Sequence, residues 1–304
     1  MNTLTKLRIL QEKSGFTQQQ IAIKLGVSFQ SVNAWMTQKS VPRKKMLVSI
    51  DKLYFETIGF QEISNESYIE TNEKVILLKD INWKNNLKKS EIVKDLLVLK
   101  MTYHTNSIEG STLTEGDTDA ILFKKEVLKN KSIIEHLEVI NHEKAIYKIL
   151  EWSDLSYFTS ENLLELHQIL MQGILDNAGK YRKHAVRILG SFVPTANPLS
   201  IEKKIVEWLF NINKKDVDIE QIAKSHAIFE QIHPFSDGNG RVGRLIVLWQ
   251  LLRNGYPPIL ITKENKFAYY KYLKESQLND NQQLLTYFFN QCILNFVDII
   301  ENNT

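Results

Sequence analysis

The segment His233-Pro234-Phe235-Ser236-Asp237-Gly238-Asn239-Gly240-Arg241-Val242-Gly243-Arg244 constrains this chain more than any other. Ile222, His226 and Phe229 recur on one helical stripe that runs up to His233. Pro234 has no N–H to give and drives the residue before it out of helical geometry, so the helix must stop there. Gly238, Asn239 and Gly240 tolerate positive φ, and an apolar helical run follows at once. The chain must therefore build a helix, a tight Gly-rich loop and a second helix. Backbone N–H groups gathered in such a loop at a helix N-terminus form an anion site.

The side chains point the same way. Arg241 and Arg244 stand at i and i+3, on one face of the first helical turn. Cations there oppose the helix dipole, at about 0.3–1 kcal/mol each when exposed, and a polyphosphate would compensate both. Asp237 lies beside the loop, and one carboxylate plus phosphate oxygens is a usual way to hold Mg²⁺. His233 stands where the loop begins, suited to take a proton from an attacking hydroxyl near neutral pH. The bland alternative is a helix–loop–helix corner whose polar residues only cap helices.

The rest of the chain reads as mostly helical. Candidate helices cover 88–108, 114–123, 133–150, 160–171, 200–211, 219–232, 241–253 and 266–276, with a last one from about 284. Residues 61–85 have weaker periodicity and read as a connector, with a short strand at 75–78. Residues 179–198 break the helical pattern, with Gly190-Ser191 as a turn, which is hairpin chemistry. The expected fold class is all-α with one small β-hairpin. No stretch approaches the roughly 20 apolar residues of a membrane span, and no membrane partner is expected. One cysteine, Cys292, excludes an intrachain disulfide, which fits a cytoplasmic protein.

At this point the sequence resembles a family. The segment 233–244 is similar to the Fic motif, His-x-Phe-x-(Asp/Glu)-Gly-Asn-Gly-Arg-x-x-Arg, at every defined position. The resemblance implies an all-helical Fic/Doc core over roughly 86–304, with the hairpin at 179–198 as a flap that aligns a target segment. It also implies transfer of AMP from ATP, with Mg²⁺, to a Tyr, Thr or Ser hydroxyl of a target protein, self-modification included. On that basis His233 is the base and Asp237 binds Mg²⁺. Gly238, Asn239, Gly240 and Arg241 hold the α- and β-phosphates, and Arg244 reaches the γ-phosphate. Phe235 would be a buried anchor.

Upstream, Thr105-Asn106-Ser107-Ile108-Glu109-Gly110 closes the helix expected at 88–110, with Gly110 as its C-cap. Glu109 then sits at the negative end of the helix dipole, where a carboxylate is unfavourable unless solvated or paired. Thr105, Glu109 and Gly110 resemble the Fic inhibitory motif, (Ser/Thr)-x-x-x-Glu-(Gly/Asn). That resemblance implies pairing of Glu109 with Arg244, which blocks the productive pose of ATP.

Residues 1–60 carry nine Lys or Arg against three Asp or Glu, a net of +6, whereas the remainder carries 29 against 32. A basic head on a mildly acidic body places any polyanion partner on the head. Thr17 to Trp35 resembles a helix-turn-helix of the phage-repressor type. Thr17 and Gln20 make a capping box, Gly26 ends the helix, and Ser28 opens the next. Ile21, Leu25, Val27, Val32 and Trp35 would form its core. Gln30, Ser31 and Asn33 would face base edges, while Gln18, Lys39, Arg43, Lys44 and Lys45 would meet phosphates. A protein-binding or dimerising helical module, including a homodimer, is the alternative.

The sequence as a whole thus reads as an autoinhibited protein adenylyltransferase with a DNA-binding head. The rival reading is a transcription regulator whose Fic domain senses nucleotide. Two further options keep the fold, with another nucleotide donor or with removal of AMP as the reaction.

Overall fold

The structure, a computed structural model, describes residues 3–59, 63–187 and 193–303, without the side chains of Lys44, Val48, Phe55 and Glu56. Two compact units form, Met1–Ile63 with Glu264–Tyr272, and Ser64–Lys263 with Leu273–Thr304. All regular structure among the described residues is helical.

In the first unit, α1 (Thr3–Ser14), α2 (Gln18–Leu25), α3 (Phe29–Met36) and α4 (Lys44–Thr57) enclose a small core. Leu7, Leu10, Ile21, Ala22, Leu25, Val32, Ile50, Leu53 and Tyr54 are buried in it, with Val27 and Trp35 packed against its edge. Local chemistry sets the ends of α2 and α3. Thr17 Oγ1 accepts the Gln20 N–H at 3.2 Å and the Thr17 N–H donates to Gln20 Oε1 at 2.9 Å, the capping box expected from the sequence. Gly26 turns the chain at φ 64°, and Ser28 Oγ accepts the Ser31 N–H at 3.2 Å. Gln30, Lys39 and Arg43 are exposed, whereas Gln18, Ser31 and Asn33 are half-buried. The Lys44 side chain lies outside the described residues.

The second unit contains α5 (Asn65–Leu77), α6 (Trp83–Lys89), α7 (Glu91–Glu109), α8 (Glu115–Phe123), α9 (Ile133–Trp152), α10 (Ser160–Met171), α11 (Ile201–Ile212), α12 (Ile219–Ile232), α13 (Asn239–Arg253) and α15 (Gln282–Glu301). The intervening α14 (Lys266–Asn279) begins in the first unit and ends in the second. α13 is the central helix, with every residue from Arg241 to Leu252 buried against α9, α10, α12 and their neighbours. Its apolar residues run all round the helix, the pattern of a helix enclosed on every side. The core tryptophans satisfy their N–H groups: Trp249 Nε1 donates to Trp152 O at 3.0 Å and Trp208 Nε1 to Ser225 O at 2.9 Å.

Three expectations need correction. The helix expected to begin at 88 begins at Glu91, because Ser90 ends the preceding α6 and caps α7, accepting the Val93 N–H at 3.3 Å. The strand expected at 75–78 is the end of α5 and the turn after it. Four apolar residues in a row do not distinguish the two, and Thr71 and Val75, at i and i+4, settle the matter by packing on the α15 side. Around the expected hairpin, residues 188–192 lie outside the described residues, and the flanking arms 181–187 and 193–197 form no strand. Their carbonyls are spoken for otherwise: Thr195 Oγ1 donates to Val186 O at 2.8 Å, and the Arg182 guanidinium takes His184 O and Ala196 O.

Candidate active site

α12 ends as the sequence requires. His233 is its C-cap in the left-handed region, φ 50° and ψ 60°, with its N–H donating to Phe229 O at 3.0 Å. A non-glycine residue there carries strain of about 1–3 kcal/mol, which the surrounding contacts must hold. His233 Nδ1 lies 3.2 Å from Glu230 O. A carbonyl only accepts, so Nδ1 carries the proton and Nε2 keeps its lone pair. Burial is the main reason that the His233 imidazole titrates below its ordinary value, and the Arg182 cation adds to the effect. The Glu230 carbonyl and the charges of Glu109 and Asp237 pull the other way. The balance leaves the ring a neutral proton acceptor at pH 7.

The loop from Phe235 to Gly238 is closed by one side chain. Asn239 Oδ1 accepts the Phe235 N–H and Asn239 Nδ2 donates to Phe235 O, both at 2.9 Å. Phe235 is fully buried, its ring stacked on His167 at 3.7 Å between centroids and 2° between planes. His167 in turn accepts the Gly179 N–H on Nδ1 at 2.8 Å, so its Nε2–H donates to Asp237 O at 3.1 Å. Gly238, at φ 78°, sits against Met171, and a Cβ there would lie 2.8 Å from the sulfur. α13 then starts, and the first N–H groups of Asn239, Gly240 and Arg241 have no helical acceptor by construction.

Both motif arginines are buried and paired. Arg241 Nη1 donates to Glu138 Oε1 at 2.7 Å, and Arg241 Nη2 lies 3.6 Å from Asp237 Oδ2. Arg244 Nη2 donates to Glu109 Oε1 at 2.5 Å. Glu109 is the last residue of α7, Gly110 caps that helix at φ 111°, and Thr105 is buried one turn earlier, lining a cleft with Met101, Arg244 and Val247. Gly240 permits this approach, since a Cβ there would stand 2.6 Å from Glu109 Oε1. The structure therefore brings together His233, Asp237, Gly238, Asn239, Gly240, Arg241, Arg244, Thr105, Glu109 and Gly110. Asp237 is exposed, and its Oδ1 accepts the Gly238 N–H at 2.6 Å.

Glu138, His167, Arg182 and Glu230 belong to this neighbourhood and escaped the sequence. Each sits on an amphipathic helix or in the irregular segment, and nothing in its local spacing names its distant partner. Glu230 is the most perturbed of them. Burial pushes its carboxyl up to about 8, against the pull of Arg244, and the neighbouring His226 is pushed down to about 3. The 4.0 Å contact between these two is therefore between neutral groups at pH 7. A carboxyl whose folded value is raised destabilises the fold increasingly as pH rises from the unfolded value of about 4.5 to about 8. Glu230→Gln should accordingly raise the thermal midpoint at pH 8 relative to wild type and lose that advantage at pH 4. A melting series showing the same difference at both pH values would contradict the assignment of a buried neutral acid.

Residues 157–251 match the family model described as the Fic/DOC family. The chain is 31% identical over 265 residues to the protein adenylyltransferase fic-1 of Caenorhabditis elegans, covering 79% of this chain and 52% of that protein. It is 35% identical over 187 residues to the protein adenylyltransferase Fic of Nematostella vectensis, covering 59% and 43%. The chain spans about half the length of the curated relatives it matches. A solved fragment of C. elegans Fic-1, residues 134–508 of that protein, superposes with a TM-score of 0.66 at 22% identity, covering 99% of this chain and 98% of the fragment. A Fic-domain signalling protein from Bacteroides thetaiotaomicron gives a TM-score of 0.63 at 24% identity, covering 75% and 94%. The likeness to these structures is one of fold, and it agrees with the helical framework that places His233 and the α13 N-terminus together. Over residues 157–251 the chain is thus similar to the Fic/DOC family.

Proposed function

We propose that this protein transfers AMP from ATP to a hydroxyl of a target protein, and that Glu109 restrains the reaction. The observation that carries the reading is His233. Its Nδ1–H is tied to Glu230 O, which leaves Nε2 free to take a proton at the mouth of an anion-binding helix N-terminus. The relatives named protein adenylyltransferase support the same class of reaction.

The chemistry follows from the residues. The polyphosphate lies along the Gly238–Gly240 backbone, with Arg241 on the α- and β-phosphates and Arg244 on the γ-phosphate. The target oxygen attacks the α-phosphorus while its proton passes to His233 Nε2. The bond from the α-phosphorus to the bridging oxygen breaks, and pyrophosphate leaves with the electron pair. Arg241 and Arg244 stabilise the charge that develops. Among the described residues no cluster of three or more His, Cys, Asp or Glu could hold a metal. The exposed Asp237 carboxylate beside the phosphate site nevertheless fits Mg²⁺, whose remaining ligands are phosphate oxygens and water. Bound there, the ion would offset phosphate charge.

Labelled ATP tests the reaction class. With Glu109→Gly protein, label from the α-phosphate should appear covalently on protein and label from the γ-phosphate should not. Transfer of the γ-label would replace this reading with phosphorylation.

We further propose that the first unit binds duplex DNA through α3. Support comes from the +6 charge of residues 1–60, the Ser28 cap of α3 and the exposed Gln30. If Lys39, Arg43, Lys44 and Lys45 each neutralise one phosphate, affinity should fall about a hundredfold between 50 and 200 mM salt. Binding that ignores salt in a fluorescence-anisotropy titration would favour the protein-binding module instead.

A further inference from the structure

Arg182 has no part in the reaction as derived above, yet it is one of the largest fully buried side chains of the protein. Among the described residues it forms no ion pair, and its partners are backbone carbonyls. Nε donates to His233 O, Nη1 to His184 O and Nη2 to Ala196 O, each at 2.7 Å, and Nη2 also reaches Ile232 O at 3.4 Å. Its backbone N–H donates to Pro234 O at 2.9 Å. A buried cation without a carboxylate is costly unless carbonyl dipoles replace its hydration. Here the planar fork gathers the last carbonyls of α12, the negative end of that helix dipole, with one carbonyl from each arm of the segment 184–196.

We infer that Arg182 is a positioning residue for the proposed base: its fork fixes the strained backbone of His233 to both chain arms. The inference rests on the reading of His233 as the base of AMP transfer. Three contacts then define where Nε2 stands: the His233 N–H to Phe229 O, Nδ1–H to Glu230 O, and Arg182 Nε–H to His233 O. The charges that face the ring are the Arg182 cation, which disfavours the imidazolium, and Glu109 and Asp237, which favour it. Arg182 thus holds His233 in place and adds to the burial that keeps it in the form that accepts a proton.

The test uses the full chain with Arg182→Lys, which keeps the charge and loses the fork, and Arg182→Gln, which loses the charge. His233 is titrated by NMR through its imidazole signal, assigned by its loss in His233→Ala. The midpoint should rise in Arg182→Gln, which removes a charge that disfavours the imidazolium, and stay at the wild-type value in Arg182→Lys. In a Glu109→Gly background at saturating ATP, transfer of α-label to the protein itself should fall at least about tenfold for both variants, with ATP affinity within twofold of the parent. An unmoved midpoint in Arg182→Gln, or a wild-type transfer rate in Arg182→Lys, overturns the inference. If Arg182→Gln does not fold, the rate and ATP affinity of Arg182→Lys decide. A parent that transfers no label would sink the AMP-transfer reading instead, while the midpoints still judge Arg182.

Discussion

His233→Ala should abolish AMP transfer while leaving ATP binding nearly intact. The imidazole is the group whose tautomer is set by Glu230 O and whose free nitrogen can take the hydroxyl proton. Losing a positioned base costs on the order of 10²–10⁴ in rate. ATP contacts should survive, because the loop is closed by Asn239 on Phe235 and not by the His233 side chain. A single-turnover assay with α-labelled ATP, paired with a binding titration, separates the two effects. Transfer by the alanine variant at near wild-type rate under saturating ATP would remove His233 from the mechanism.

Glu109→Gly should raise the rate of transfer on the order of 10- to 100-fold over wild type, the span of a typical coupling free energy between two sites. Glu109 Oε1 and Arg244 Nη2 are 2.5 Å apart, and a polyphosphate that needs the guanidinium must displace that carboxylate. The substitution should also weaken the fold without nucleotide, since it strips a close partner from an arginine that is 2% exposed. Adding ATP should then recover more thermal stability in Glu109→Gly than in wild type. The gain in rate should depend on Arg244: combining Glu109→Gly with Arg244→Ala should erase most of it, a non-additive double-mutant cycle. Equal rates for wild type and Glu109→Gly across ATP and Mg²⁺ concentrations would leave Glu109 as a helix-end residue only.

The helical framework was legible in the chain because its punctuation is local. Thr17 with Gln20, Gly26, Ser28, Gly110 and the His233-Pro234 stop each act within four residues, so spacing alone marks where helices begin and end. The active-site loop was legible for the same reason, since Gly238-Asn239-Gly240-Arg241 declares both a turn and a charge within a few residues. Local signals failed where local chemistry was ambiguous. Val75 to Leu78 is an apolar run that only the packing of α5 on α15 resolves into helix, and Ser90 ends one helix and starts another within a continuous polar–apolar pattern.

What only the tertiary structure decided is which distant groups share a low-dielectric interior. Glu138 and Arg241 are 103 residues apart, and Arg182 reaches His233 across 51. Whether a carboxyl such as Glu230 is charged depends on burial and on the arginine beside it, and neither is written in its neighbours along the chain. The pairing of Glu109 with Arg244, 135 residues apart, stands between these cases. Each residue looked misplaced at its own helix end, a local fact about dipoles. That the two relieve each other is a fact of folding, because only the packing of α7 near the start of α13, over a glycine with no Cβ to intervene, brings them within a hydrogen bond.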